Sequence, residues 1–184
     1  MDRPGQNMGT HAPRALFLPQ SCIDYAKVTR PKTDMVGSVQ ADFEQIEPYL
    51  PERCDSIIDV GCGLAAIDVL LKRRYPEATL TLVDSDGDEP FYAYQSRGKP
   101  YGSRAAAEEM LSAHGIDDYR WLPAGTRDLR ADLVISLLFW GFHYPLSVYD
   151  VQGYCIADLR KPNEPARGVV IAESAKYNRC AFTC

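Results

Sequence analysis

Apolar positions along this chain follow two periods, and one gives way to the other within the stretch Ser56-Ile-Ile-Asp-Val-Gly-Cys-Gly-Leu-Ala-Ala66. Ile57, Ile58 and Val60 are β-branched and make a short apolar run, which predicts a buried strand. Gly61 and Gly63 end it. From Ile67 the spacing is helical: Ile67, Leu70, Leu71 and Tyr75 share one face until Pro76 closes the segment. Strand, glycine turn and helix form the first half of a βαβ unit.

The same patterns recur on both sides. Residues 33–50 read as a helix with Val39, Phe43 and Ile46 inward and Asp34 or Ser38 as its cap. Leu80-Thr-Leu-Val-Asp84 reads as a second strand. Ser103 caps a helix carrying Ala107, Met110 and Leu111, which Gly115 ends. Strands are predicted at 119–122, 132–137, 153–158, 168–173 and 179–184. Residues 1–13 are polar and read as a mobile N-terminal tail, followed by one domain over 14–184 whose opening residues form a lid or a surface strap. The connections at 146–152 and 159–167 are short. A parallel crossover needs about a dozen residues, so at least one helix is lost or rudimentary there, or Asp158 lies outside the central sheet.

A glycine turn of this kind admits a ligand close to the backbone at the C-terminal edge of a sheet. Asp59 tells which ligand. A carboxylate two residues before the first glycine would repel a pyrophosphate and suits a cation. S-adenosylmethionine (SAM) carries an ammonium and a sulfonium and no phosphate. Asp84, at the end of the second strand, can accept both ribose hydroxyls of an adenosine.

With these residues the chain resembles the class I SAM-dependent methyltransferases. Asp59-Val-Gly61-Cys-Gly63-Leu-Ala65 is similar to that family's acid-x-Gly-x-Gly-x-Gly turn, with Ala65 in place of the third glycine, and Asp84 matches its ribose acid. The resemblance implies an α/β fold: a Rossmann-like, doubly wound, mostly parallel sheet of about seven strands with an antiparallel hairpin at one edge. It implies Asp59, Gly61, Cys62, Gly63, Asp84, Ser85 and Ser136 as cofactor-binding residues.

A second informative stretch is Ser136-Leu-Leu-Phe-Trp-Gly-Phe-His-Tyr-Pro145. It follows the fourth strand and is too aromatic for an ordinary loop, and Pro145 disfavours helix at Tyr144. The phrase is similar to one in a subgroup of sugar O-methyltransferases, as are Asp158-Leu-Arg-Lys161 and Glu173-Ser-Ala-Lys-Tyr-Asn-Arg179. That family places the methyl acceptor at this loop. An alcohol attacks only as its proton leaves, which calls for a general base with a pKa near neutrality. His143 is the first candidate, either as base or as a group that orients the acceptor, with Tyr144 and Asp158 behind it. Trp140, Phe142 and Tyr101 are expected on the acceptor wall, with loop packing as the alternative for Trp140. Phe91, Tyr92 and Tyr94 are further wall candidates.

Composition narrows the partners. The 184 residues are 46% apolar with net charge −5, as expected of one globular domain with a real core. Lys and Arg are scattered apart from Lys72-Arg-Arg74, which argues against nucleic acid, while the resemblance implies a small-molecule or sugar acceptor. The six cysteines contain no CxxC pair, no metal site is expected, and they read as buried apolar groups in a reducing, cytoplasmic setting. No segment has membrane-spanning length. Two rival readings stay open: a shortened methyltransferase-like binding module without catalysis, and an NAD(P)-dependent enzyme.

Overall fold

The computed structural model describes residues 15–29, 32–86 and 103–184. The expected tail, Tyr101, Phe91, Tyr92 and Tyr94 lie outside the described residues. Helices α1 (Gln20–Thr29) and α2 (Met35–Ile46) precede the first strand. Then come β1 (Ser56–Val60), α3 (Ala66–Arg74), β2 (Thr79–Asp84), α4 (Arg104–Ala113), β3 (Arg120–Pro123), β4 (Leu129–Ser136), β5 (Val151–Arg160), β6 (Val169–Glu173) and β7 (Tyr177–Thr183). Asp34 caps α2 by accepting the Gly37 N–H at 3.1 Å, and Ser103 caps α4 through Ala106 N–H at 3.3 Å. Helix α2 is shorter than its apolar pattern: Pro48 cannot continue the ladder, and Glu47–Tyr49 tighten into a 3-10 turn.

The strands form one sheet in the order β3-β2-β1-β4-β5-β7-β6. Pairs β1–β2, β1–β4, β2–β3 and β4–β5 are parallel; β7 runs antiparallel to both β5 and β6. The order reverses between β1 and β4, which is where α/β sheets leave a crevice for ligands. Asp158 sits inside the sheet, paired with Arg179 of β7. The parallel return from β4 to β5 uses residues 137–150 with a single 3-10 turn, Leu146–Val148, and the return from β5 to β6 has no helix.

The lost helices leave the two sheet faces unlike each other. On one face Ile57, Leu80, Leu82, Leu133, Ile135 and Ile156 pack with Cys22 of α1, Ile46 of α2, Leu71 of α3 and Met110 of α4. On the other, Ile58, Val60, Val134, Cys155 and Phe182 are covered by Trp140, Leu146 and Tyr149 from the β4–β5 connection. Alternation along each strand delivers both clusters, since successive side chains point to opposite faces. Five of the six cysteines are buried as free thiols, and Cys184 is exposed. Among the described residues no helix is long and apolar enough to cross a membrane.

Candidate functional site

The turn after β1 opens into a cavity of about 130 Å³ at the reversal point of the sheet. Tyr25 of α1, Val39 and Asp42 of α2, Asp59 of β1 and Leu137 after β4 line it together with the turn itself. Gly61 is required twice over: its φ is +86°, and a Cβ there would lie 2.0 Å from Phe139 Cγ. Gly63, at φ +55°, has open space where its side chain would be. Ala65 takes the place of the third glycine and still adopts φ +54°, a left-handed conformation that costs an alanine about 1–2 kcal/mol.

Three backbone donors of the turn are used internally. Gly61 N–H donates to Val83 O at 2.7 Å, Ala65 N–H to Cys62 O at 2.8 Å, and Gly63 N–H to the Asp84 carboxylate at 2.8 Å. The other Asp84 oxygen accepts from Ser85 N–H at 2.7 Å and its hydroxyl at 3.4 Å. Burial raises the Asp84 pKa, and these hydrogen bonds pull the other way. Burial, reinforced by the charges of Asp84, Asp59 and Asp68, raises the Cys62 thiol, which stays neutral.

Asp59 faces the helix side of the sheet and is 3% exposed. Behind it, in the first turn of α3, stands Asp68, fully buried. Burial is the main cause of the raised pKa of both, with Asp68 pushed up to about 7. Apart from its own backbone N–H, Asp68 has only the Asp59 carboxyl as a hydrogen-bonding neighbour. Two buried carboxyls that interact this closely repel when both are ionised, which favours a proton between them.

The aromatic loop after β4 is folded down onto the turn. Ser136 is buried; its hydroxyl donates to Val60 O at 2.6 Å and accepts Trp140 N–H at 2.8 Å, tying β1, β4 and the loop together. Trp140 is 2% exposed, and its indole N–H donates to Leu146 O at 3.0 Å. Its ring therefore belongs to the core of the second face, the packing alternative, and not to the cavity wall. Phe139 covers Gly61, and Tyr144, also buried, tilts against it at 4.7 Å. His143 is half-buried with its ring edge-on to Phe142 at 4.9 Å, and Phe142 lies under the Arg160 guanidinium at 5.3 Å.

Asp158 sits in a buried ion pair. Arg179 donates Nε to Asp158 Oδ1 at 2.8 Å and Nη2 to Oδ2 at 3.0 Å, while Leu138 N–H donates to Oδ2 at 3.1 Å. The remaining arm of Arg179 reaches Asp42 Oδ1 at 2.7 Å and Gln45 Oε1 at 3.1 Å. This network joins β5, β7, α2 and the loop after β4, and so holds the cavity wall in place. Such an arrangement positions other groups rather than taking a substrate proton.

Sequence reasoning missed Asp68, Asp42 and Arg179. Asp68 carried a signal: it stands three and seven residues before Leu71 and Tyr75, on the inward face of α3. Asp42 and Arg179 carried none, because they are brought together across most of the chain.

Strand order and edge hairpin define a Rossmann-like α/β domain, the fold that the resemblance to class I methyltransferases implies. Comparison with known proteins finds methyltransferases as well, though no family model matches the chain. Over 61 residues, 33% of this chain, the sequence is 36% identical to ribosomal RNA small subunit methyltransferase C of Pseudomonas aeruginosa strain UCBPP-PA14. That stretch is 17% of the relative, so the likeness spans a small part of its length. Among solved structures, the O-methyltransferase TomG of Streptomyces achromogenes in complex with SAM is 11% identical, covering 82% of this chain and 73% of TomG at a TM-score of 0.45. Coclaurine N-methyltransferase bound to N-methylheliamine and SAH is 13% identical, covering 74% and 44% at a TM-score of 0.47.

Proposed function

We propose that the chain binds SAM at the glycine turn and transfers its methyl group to a hydroxyl of a small-molecule or sugar acceptor. One observation carries the cofactor half. Gly61, Gly63 and Ala65 spend their N–H groups inside the turn, while the cavity beside them is lined by Asp42 and Asp59 and, among the described residues, by no basic side chain. A pyrophosphate needs the opposite arrangement, with free N–H donors and no facing carboxylates. A cation without phosphate fits the residues present, which disfavours NAD(P).

Asp59 and Asp42 would face the cationic part of the ligand. Asp84, just outside the cavity lining, would take ribose hydroxyls in exchange for its two long contacts, Cys62 Sγ at 3.9 Å and the Ser85 hydroxyl at 3.4 Å, while Leu64, Ile67, Met35 and Val39 give the cavity apolar walls. Bound there, SAM supplies an electrophilic methyl on a sulfonium. His143 would take the acceptor proton or orient the acceptor, with Tyr144 and Phe142 beside it on a loop anchored by Ser136 and Asp158. The methyl transferases of the comparison span O-, N- and RNA methylation. Net charge −5 and dispersed Lys and Arg favour a small acceptor over RNA.

Calorimetric titration of the full chain with S-adenosylhomocysteine, beside NAD and NADP, tests the cofactor. Micromolar binding of the first alone is the expected result; binding of a nicotinamide cofactor, or of none, overturns it. Methyl transfer from SAM is then screened on sugars, small phenols and RNA. With an acceptor in hand, His143→Ala should slow transfer by about 10²–10⁴-fold while leaving S-adenosylhomocysteine affinity intact. Cofactor binding without transfer to any acceptor would favour the non-catalytic binding module.

A further inference from the structure

A single carboxylate facing a cationic ligand needs no acid behind it, yet this chain buries two. Asp59 lines the cavity, and Asp68 stands behind it, fully buried, with no donor from any other residue except the Asp59 carboxyl. No lysine, arginine or histidine among the described residues pairs with either. The buried guanidinium of Arg179 on β7, which reaches the cavity-lining Asp42, is committed to Asp158 and Asp42. The other titratable groups facing the pair are Asp84 from β2, Cys62 from the turn, Asp42 from α2 and Tyr25 from α1. Three of these are acids or neutral thiols, so nothing in the surroundings supplies positive charge except the N-terminus of α3, which offers only a partial one.

We propose that Asp59 and Asp68 form a proton-releasing counter-ion: the pair holds one proton while the cavity is free of ligand and gives it up when an ammonium or sulfonium group enters. In the free protein one shared proton keeps the buried pair at a single negative charge. An entering cation stabilises the second negative charge by direct attraction in a water-poor site. The balance is simple: the protonated pair plus the cation gives the ionised pair bound to the cation, and a proton goes to solvent. Asp68, pushed up to about 7, is the member of the pair that ionises first. Its charge and hydrogen bond help to hold the remaining proton on Asp59 well above the ordinary carboxylate range, so that proton is still in place at neutral pH for an entering cation to displace. By linkage, affinity then rises with pH, by up to tenfold per unit, until the free pair is itself ionised, and levels off above.

This inference rests on the reading of the cavity as a SAM site. Its test is calorimetry of the full chain with S-adenosylhomocysteine in two buffers of different ionisation enthalpy, between about pH 6 and pH 8, the range around the Asp68 value. The wild type should release a fraction of a proton that shrinks as pH rises. Asp68→Asn removes the neighbouring charge and donates a hydrogen bond to Asp59, leaving burial alone to hold a proton there, and should release fewer protons than the wild type and bind with a weaker dependence on pH. Binding without proton release in the wild type, or with equal release in Asp68→Asn, overturns the inference and leaves the cofactor reading standing. No binding in the wild type overturns both. Should Asp68→Asn not fold, the wild-type proton count alone decides.

Discussion

Substituting Gly61 by alanine tests whether the aromatic loop is packed on the glycine turn. Two costs add. At φ +86° an alanine is strained by about 1–2 kcal/mol. Its Cβ would also sit 2.0 Å from Phe139 Cγ and 2.2 Å from Phe139 Cβ, so the loop must move, an overpacking cost of about 1–3 kcal/mol. Together these give about 2–5 kcal/mol, or a Tm lower by roughly 2–4 °C per kcal/mol for a chain of this size. A mutant cycle separates the two parts. Phe139→Ala removes the ring and keeps the Cβ, whereas Phe139→Gly removes both, so Gly61→Ala should cost progressively less across the wild-type, Phe139→Ala and Phe139→Gly backgrounds. In the last, only the backbone strain of about 1–2 kcal/mol should remain. Urea denaturation, read as a shift in midpoint at constant slope, measures each corner. An equal cost of Gly61→Ala in all three backgrounds would refute the packing of the loop on the turn.

Three further predictions follow from the same contacts. Arg179→Met strands the buried Asp158 carboxylate and should destabilise by about 3–5 kcal/mol, with Asp158→Asn in the same chain recovering part of the loss; no recovery in the double variant would mean the charge pair is not the cause. Because Asp59 and Asp68 are raised in the folded state, that state binds more protons than the unfolded chain between about pH 4 and pH 7. Stability should therefore fall as pH rises through that window, at up to about 1.4 kcal/mol per unit for one linked proton, and the fall should be smaller in Asp68→Asn; parallel stability curves for the two proteins would contradict this. Trp140→Phe should cost about 1–3 kcal/mol by leaving Leu146 O unpaired, yet leave S-adenosylhomocysteine affinity unchanged; weakened binding would return the indole to the cavity wall.

Much of the fold was legible along the chain. The apolar runs at Ile57, Leu80 and Leu133 are buried strands because a parallel sheet hides both faces, and the helical spacing after Ile67 is α3. The short connections implied a lost or rudimentary helix, or Asp158 outside the sheet; the structure has no α-helix between β4 and β5 or between β5 and β6, only the 3-10 turn Leu146–Val148, and Asp158 lies within the sheet. Strand ends were less legible: β4 begins at Leu129 and β5 runs on to Arg160, because pairing with neighbours extends strands past their apolar cores.

The sequence by itself determined what depends on near neighbours: the strand-turn-helix unit, the glycines with left-handed backbone, the helix caps at Asp34 and Ser103, and Asp59 and Asp84 at the ends of adjacent strands. Only the tertiary structure decided what depends on distant ones. Trp140 reads as an acceptor-wall or loop-packing ring until the missing helices leave a sheet face for it to cover. Asp158 reads as a free acid until β7 brings Arg179 alongside and α2 adds Asp42. Asp68 reads as a first-turn helix acid until the return of α3 across β1 buries it against Asp59. The reason is the same in each case: periodicity reports which way a side chain points, whereas its charge state and partners are set by groups that chain folding, not chain order, places beside it.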